Sequence, residues 1–200
     1  TAASLLQVVN EKHLAMARDA NPLSKLPGNH MVVEYVTDLV TDDETEAVIA
    51  YFDFDNFKPF NDTYGFRQGD RAILLFAELL KKSFIADGAF LGHIGGDDFF
   101  AGWRGIGLNL ARERLANLRE SFRHQVETFY DKAARDAGGI VAKDRSGVER
   151  TFPLLSVSIA VMHLKPGRSG ITPDDLAQQI AITKKESKRA DDGIAVGAVG

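Results

Sequence analysis

Residues 47–58 read AVIAYFDFDNFK, and this stretch decides the fold. Its first eight residues are almost continuously apolar, which is typical of a strand buried on both faces. The strand ends on carboxylates, because Asp53 and Asp55 stand at its edge. Carboxylates are costly to crowd together unless a cation neutralises them. The stretch therefore predicts a buried strand that delivers acidic groups to a binding site.

A second acidic stretch, GGDDFF at residues 95–100, follows further along the chain. Residues 89–94 and 98–103 have strand-like sequence, and glycine at the turn supplies the positive φ that a tight hairpin needs. If this hairpin lies beside the first strand, Asp53 and Asp97 meet at the rim of the sheet. Two carboxylates, a backbone carbonyl and substrate phosphates are suitable ligands for magnesium. The alternative is that both residues are solvated acids at strand ends.

The rest of the chain completes a β-α-β-β-α-β-α order. Helices are predicted over residues 3–18, about 29–40, 70–87, about 108–136 and 172–189. Further strands are predicted over residues 154–162 and 194–199, with a loop at 56–69 and a hairpin at 139–152. This order predicts an α/β (α+β) fold of the ferredoxin-like palm type, an antiparallel sheet with helices on one face and a small inserted hairpin.

The composition indicates one soluble globular domain. The chain has 200 residues, a net charge of −4, 44% hydrophobic residues and no cysteine. The acidic balance gives no general footprint for nucleic acid or an anionic membrane, and disulfides and thiolate catalysis are excluded. No apolar run approaches the roughly 18 residues that cross a bilayer, and no signal peptide opens the chain. We expect a cytoplasmic domain without membrane contact, taken from a longer protein because it begins at Thr1.

The segment after the first strand carries groups suited to a nucleotide. Backbone N–H groups at Phe57 and Lys58, with the Lys58 ammonium, could hold phosphates, although a surface lysine beside a core phenylalanine is the simpler alternative. Asn61 and Asp70 offer oxygens that could accept the N1–H and N2–H donors of guanine, a pair that adenine lacks. Asp70 also suits a helix cap after Gly69, and both roles can coexist.

The last predicted helix ends in a run of charges, Lys-Lys-Glu-Ser-Lys-Arg at residues 184–189. Lys185 and Arg189 are four residues apart and so lie on one helix face, from which both could reach one triphosphate. A solvated helix end explains the same run more simply.

Together these motifs resemble the GGDEF family of diguanylate cyclases. The resemblance rests on DFDNFKPFNDTYG at 53–65, Gly69-Asp70, GGDDF at 95–99, the NPLSKLP turn at 21–27 and SVSIA at 156–160. It covers about residues 19–190, so we expect a GGDEF domain over 19–200 and a linker helix over 1–18.

The resemblance implies a nucleotide-cyclase palm that condenses two GTP into cyclic di-GMP with Mg²⁺ or Mn²⁺. Each subunit of a homodimer binds one GTP, and each 3′-hydroxyl attacks the other's α-phosphate. The implied metal ligands are Asp53, Asp97 and the Phe54 carbonyl. The implied substrate contacts are Phe57, Lys58, Asn61, Asp70, Lys185 and Arg189, and the implied catalytic residues are Asp98, Asp97 and Lys58.

Two departures from the family pattern leave a second hypothesis open. Asp98 stands where the family usually has glutamate, and a carboxylate about 1 Å short can cost on the order of 100-fold in rate. The charged pair of the family's inhibitory product site is absent from residues 86–89. The Leu-Pro-Gly-Asn turn at 26–29, Phe-Lys-Pro-Phe-Asn-Asp at 57–62 and the hairpin near 139–152 resemble GGDEF domains that follow EAL and CBS modules. The chain is therefore expected to be a slow cyclase or, alternatively, a GTP-binding regulatory module that controls an attached sensory or EAL domain.

Overall fold

Strand β1 (Ala47–Asp55) is the predicted buried strand, and it lies at the centre of a five-stranded sheet. The structure is a computed structural model that describes residues 19–144, 146–168 and 170–199. The predicted linker helix at 1–18 lies outside the described residues.

The other elements follow the predicted order. The strands are β2 (Phe90–Gly95), β3 (Asp98–Arg104), β4 (Gly139–Lys143), β5 (Glu149–Pro153), β6 (Ser156–Leu164) and β7 (Ile194–Val199). The helices are α1 (Asn29–Thr41), α2 (Phe57–Tyr64), α3 (Phe66–Phe84), α4 (Leu108–Val126), α5 (Lys132–Ala137) and α6 (Pro173–Ser187).

The sheet has the order β2-β3-β1-β6-β7, which confirms the predicted mostly antiparallel palm. Only β7 runs parallel to its neighbour, β6. The register places Asp53 of β1 opposite Asp98 of β3 on one side and opposite Ser158 of β6 on the other. The inserted hairpin, β4 with β5, forms a separate two-stranded sheet.

Helices cover both faces of the sheet, so the prediction of helices on one face is wrong. Phe52 and Phe54 of β1 pack in the larger core with α3 and α4. Ile49, from the alternate set of β1 side chains, packs in a second core with α1 and α6. The reason is visible in the strand itself, because a run that is apolar at successive positions needs cover on both sides.

The predicted loop at 56–69 is wrong as well, since α2 and most of the first turn of α3 occupy it. The Asn and Gly content marks only the joints: Asn56 has φ 63° before α2, and Gly65 has φ 83° between the helices. Phe60 lies on the buried side of α2 with no exposed surface. Asp70 lies in the second turn of α3, so it does not cap that helix.

The helix predicted over 108–136 is interrupted. Helix α4 ends at Val126, a short 3-10 turn follows at Glu127–Phe129, and α5 begins after Asp131. Asp131 caps α5 by accepting a hydrogen bond from Ala134 N at 2.9 Å. The hydroxyl of Tyr130, at the break, accepts a bond from Leu155 N at 2.8 Å, so packing and capping together override the helical periodicity.

The last helix follows its local sequence closely. Thr172 and Asp175 form a reciprocal capping box at the start of α6, with proline at the first turn. The predicted edge strand β7 follows and pairs with β6. Among the described residues, no helix has both the length and the apolar character that a bilayer span requires.

Candidate functional site

The site lies at one end of the sheet, where β1 ends and the β2–β3 turn begins. Asp53 and Asp98 face each other across the β1–β3 pair, and Asp97 precedes Asp98 in the turn. Gly96 has φ 56°, a left-handed conformation that glycine adopts at low cost, and it turns the chain directly before Asp97. Local turn chemistry and strand register together bring three carboxylates to one edge.

Asp53 and Asp97 line the same pocket, which has a volume of about 410 Å³. Phe54, Phe57 and Lys58 also line it, so five of the residues predicted from the sequence meet there. Asp98 is not among the lining residues, but its partner in the strand register, Asp53, is. The pocket therefore holds carboxylates of the sheet edge together with the Lys58 ammonium group.

Burial raises the pKa of the Asp97 carboxyl, and the negative charges of Asp53 and Asp98 raise it further, while Lys188 opposes them. A raised carboxyl pKa means that the ionised form is less stable here than in water. This is the electrostatic environment that a bound cation relieves.

Two lysines, Lys184 in α6 and Lys188 directly after its last residue, reach this acidic edge. The Lys184 ammonium lies 3.1 Å from Asp53 Oδ2 and 3.1 Å from Asp98 Oδ1. Lys188, one turn later, pairs with the other oxygen of Asp53 and lines the pocket. These lysines are half-buried to exposed, and they pair with the carboxylates of the sheet edge.

The sequence predicted Lys185 and Arg189, which directly follow Lys184 and Lys188. Both side chains are exposed, and the ion pairs to the acidic edge come from Lys184 and Lys188 instead. Their predicted contact with phosphate remains a prediction. The burial of Thr183 and Ser187 distinguishes the observed pair from the predicted one, and this burial is visible only in the structure.

The inserted hairpin also contributes to the pocket, which the sequence did not indicate. Lys143, Asp144 and Phe152 line it from the side opposite the β1 edge. Asp144 accepts hydrogen bonds from Ser146 N and Val148 N, so it also organises the hairpin turn. Among the ion pairs of the described residues, none uses Lys143, whose ammonium is available to a ligand. No local sequence pattern predicts this contact, because it depends on how the hairpin packs in the tertiary structure.

Asn61 of α2 and Asp70 of α3 do not line this pocket. Asn61 Oδ1 is buried and, within the described chain, accepts no hydrogen bond. The reason for its burial is Gly69, whose missing side chain leaves room: a Cβ there would lie 1.9 Å from Asn61 Oδ1. Asp70 follows Gly69 and is exposed. A buried acceptor without a donor is where a ligand donor would be expected.

His93 fixes the turn that carries Asp97. It is buried in β2, its Nε2 lies 2.9 Å from the Gly96 carbonyl oxygen, and its Nδ1 lies 2.8 Å from Ser24 Oγ. Because a carbonyl only accepts, Nε2 carries the proton and Nδ1 accepts from the serine hydroxyl. Burial lowers the His93 pKa, which favours this neutral form. The ring also stacks on Phe99 at 4.1 Å.

The donor set fits a magnesium or manganese ion. Within the described residues, no group of three or more histidine, aspartate or glutamate side chains has the arrangement of a complete metal site. Magnesium does not require one, because it is usually held by one or two carboxylates together with substrate phosphates. Asp53, Asp97 and the Phe54 carbonyl would hold such an ion.

The comparisons with known proteins agree with this geometry. A family profile described as "Diguanylate cyclase, GGDEF domain" matches residues 19–145. The diguanylate cyclase DgcP of Escherichia coli K12 is 27% identical in an alignment of 173 residues, which covers 81% of this chain and 49% of that protein. The chain thus spans about half the length of that relative.

Solved structures share the fold. DgcB of Caulobacter crescentus, in complex with c-di-GMP, superposes with a TM-score of 0.70 at 18% identity, covering 98% of this chain and 95% of that one. SiaD of Pseudomonas aeruginosa, in complex with its activator SiaC, gives 0.67 at 20% identity over 99% and 69%. With the profile match over more than half its length, the chain belongs to the GGDEF family.

Proposed function

We propose that this domain binds GTP with Mg²⁺ or Mn²⁺ at the acidic pocket and condenses two GTP molecules into cyclic di-GMP and pyrophosphate. The observation that carries the proposal is that Asp53 and Asp97 line one pocket with Lys58, Lys143 and Lys188. Carboxylates for a cation and ammonium groups for phosphates stand side by side there. The diguanylate cyclase named among the relatives supports the same chemistry.

The side chains divide the work by charge. Lys58, Lys143 and Lys188 bind phosphate oxygens, with the N–H of Phe57, and orient the triphosphate. Lys185 and Arg189 are further candidates, as the resemblance implies. A divalent ion at this site supplies charge neutralisation and lowers the pKa of the attacking hydroxyl.

Guanine selection is assigned to Asn61 and Asp70. The orphaned Asn61 Oδ1 accepts one guanine N–H, and the Asp70 carboxylate accepts the other. Adenine presents no such pair of donors. Asp98 holds the acidic position next to Asp97, which the resemblance implies is catalytic.

Turnover requires two copies of the domain. One subunit binds one GTP, and the 3′-hydroxyl of each nucleotide needs the α-phosphate of the other, so the active form is a homodimer. We further propose that an upstream sensory, EAL or CBS domain controls this encounter through the segment before residue 19. Support comes from three stretches that resemble domains of that arrangement: the Leu-Pro-Gly-Asn turn at 26–29, Phe-Lys-Pro-Phe-Asn-Asp at 57–62 and the inserted hairpin near 139–152.

The test is incubation of the purified domain with GTP and Mg²⁺, followed by chromatography for cyclic di-GMP and a coupled assay for pyrophosphate. Both products are expected, with no reaction from ATP. A domain fused to a leucine zipper serves as the control for failure to dimerise. The absence of both products from the forced dimer at high concentration would remove the cyclase proposal.

A second candidate is a regulatory module that binds GTP without turnover. It is favoured by one observation: Asp98, one methylene shorter than the usual glutamate, is paired with Lys184 at 3.1 Å. Saturable, metal-dependent GTP binding without pyrophosphate release from the forced dimer would support this candidate. An Asp98→Glu variant that gains turnover would assign the loss to side-chain length.

A further inference from the structure

Lys184 occupies an unusual position in the acidic site. Its ammonium lies 3.1 Å from a carboxylate oxygen of Asp53 and 3.1 Å from one of Asp98, so it bridges two strands. Its side chain is 25% exposed, and those of Asp53 and Asp98 are 19% and 33% exposed. A bridging ammonium that is partly withdrawn from water interacts more strongly with its partners than a freely exposed lysine does.

The aromatic ring of Tyr51 contacts this ammonium group. Lys184 Nζ lies 4.1 Å from the centre of the Tyr51 ring, within the range of a cation–π contact. Tyr51 stands two residues before Asp53 on the same side of β1, so the strand itself aligns ring and carboxylate. Lys184 is thus held from three sides.

The charges around Lys184 are nearly balanced. Three negative charges come from Asp53, Asp97 and Asp98, and two positive charges come from Lys184 and Lys188. One net negative charge is a weak attraction for a divalent cation, which would also meet two ammonium groups at short range. A triphosphate changes the balance, because its oxygens give both ammonium groups new partners and leave the carboxylates free.

We propose that Lys184, seated on Tyr51, acts as an internal counter-ion that keeps divalent metal from binding to Asp53 until a triphosphate draws the ammonium away. Metal and nucleotide then bind cooperatively at this site. The inference rests on the proposed function, since Asp53, which pairs with Lys184, lines the pocket taken as the nucleotide site, whereas Lys184 itself lines a separate pocket with Tyr51. Coupling between two ligands is reciprocal, so metal raises the affinity for the nucleotide by the same factor.

The experiment measures Mn²⁺ affinity by electron paramagnetic resonance of the free ion, with and without a GTP analogue that has a non-hydrolysable α–β bridge. Lys184→Gln is expected to bind Mn²⁺ alone about tenfold more tightly than the natural domain, because two carboxylates lose their counter-ion. With the analogue present, the gain in Mn²⁺ affinity that the nucleotide confers should fall by about the same factor.

Three variants serve as controls. Lys82→Gln makes the same charge change at an exposed position of α3 outside the site, and its Mn²⁺ affinity is expected to match the natural domain. Lys184→Arg keeps the positive charge and should not raise it. Asp53→Asn should remove Mn²⁺ binding altogether. Thermal unfolding of each variant establishes that it is folded.

The outcomes separate this inference from the proposed function. If Lys184→Gln binds Mn²⁺ no more tightly than the natural domain, or if Lys82→Gln gains as much, the counter-ion role is wrong while the nucleotide site stands. If the natural domain shows no Mn²⁺-dependent binding of the analogue, the proposed function and this inference fail together. Cooperativity that is lost in Lys184→Gln and kept in Lys184→Arg supports it.

Discussion

The substitution Gly69→Ala separates guanine recognition from folding. Gly69 lies in the first turn of α3 with its Cα directed at Asn61. A Cβ at this position would come within 1.9 Å of Asn61 Oδ1, 2.9 Å of its Cγ and 3.2 Å of Phe57 Cζ. Cβ atoms essentially never approach other atoms more closely than 3.0 Å, so the Asn61 amide must retreat by at least 1.1 Å.

The substitution is expected to change the free energy of unfolding only slightly but to weaken GTP binding. Alanine in a helix is favoured over glycine by about 0.5–1 kcal/mol, and the displaced group is the free end of a side chain, so the free energy of unfolding should change by less than about 1 kcal/mol. A hydrogen bond from guanine to Asn61 Oδ1 is worth about 1.4 kcal/mol at the site. Its loss corresponds to about tenfold weaker GTP binding.

The assay is isothermal titration of GTP and ATP in the presence of Mg²⁺. Gly69→Ala should lose affinity for GTP and retain whatever weak affinity the domain has for ATP. Asn61→Ala and the double variant complete a thermodynamic cycle. If the alanine methyl acts by displacing Asn61, then Gly69→Ala should cost nothing further once Asn61 has been removed.

Two results would refute this reasoning. Unchanged GTP affinity in Gly69→Ala would mean that Asn61 does not read the base from its buried position. A full tenfold loss from Gly69→Ala in the Asn61→Ala background would mean that the methyl group obstructs the nucleotide directly.

Further substitutions test the metal site, the hairpin and the fold. Asp53→Ala should abolish Mg²⁺-dependent GTP binding in titration, and retained dependence would contradict the site. Lys143→Met should weaken GTP binding about threefold to tenfold without changing the unfolding midpoint, since it removes a phosphate partner; an unchanged affinity would exclude the hairpin from the site. Because burial lowers the His93 pKa, protonation as pH falls below about 6.5 opposes folding, although Asp98 partly offsets this. His93→Phe should therefore lose less unfolding free energy between pH 7.5 and 5.5 in urea titrations, and an equal loss would exclude His93 as the cause. Arg168→Met should lower the free energy of unfolding by about 3 kcal/mol in the same urea titrations. The buried guanidinium donates hydrogen bonds to backbone carbonyls of α1, the following loop and the end of β6. A decrease below about 1 kcal/mol would contradict that role.

Much of the fold was predictable from local sequence. The apolar run of β1, the glycine turn before Asp97 and the capping box at Thr172 each specify their element through nearby residues alone. The segment 56–69 was not predictable in this way. Its Asn and Gly mark two joints of positive φ, whereas the helices between and after them are stabilised by Phe60 and its contacts in the core.

The candidate site was predictable where strand ends carry it. Asp53 and Asp97 follow directly from the strand and turn that place them, and they line one pocket. The contribution of Lys143 was not predictable, because the hairpin reaches the pocket through the packing of β4 against α2 and α5.

The sequence by itself determined which carboxylates gather at the sheet edge. Strand alternation and a glycine turn fix the side of the sheet to which these side chains point. Only the tertiary structure decided which lysines meet them. The run 184–189 offers two pairs at the same four-residue spacing, and one residue along a helix turns a side chain by about 100°. Burial of Thr183 and Ser187 against the sheet fixed that rotation, and so directed Lys184 and Lys188 to the acidic edge.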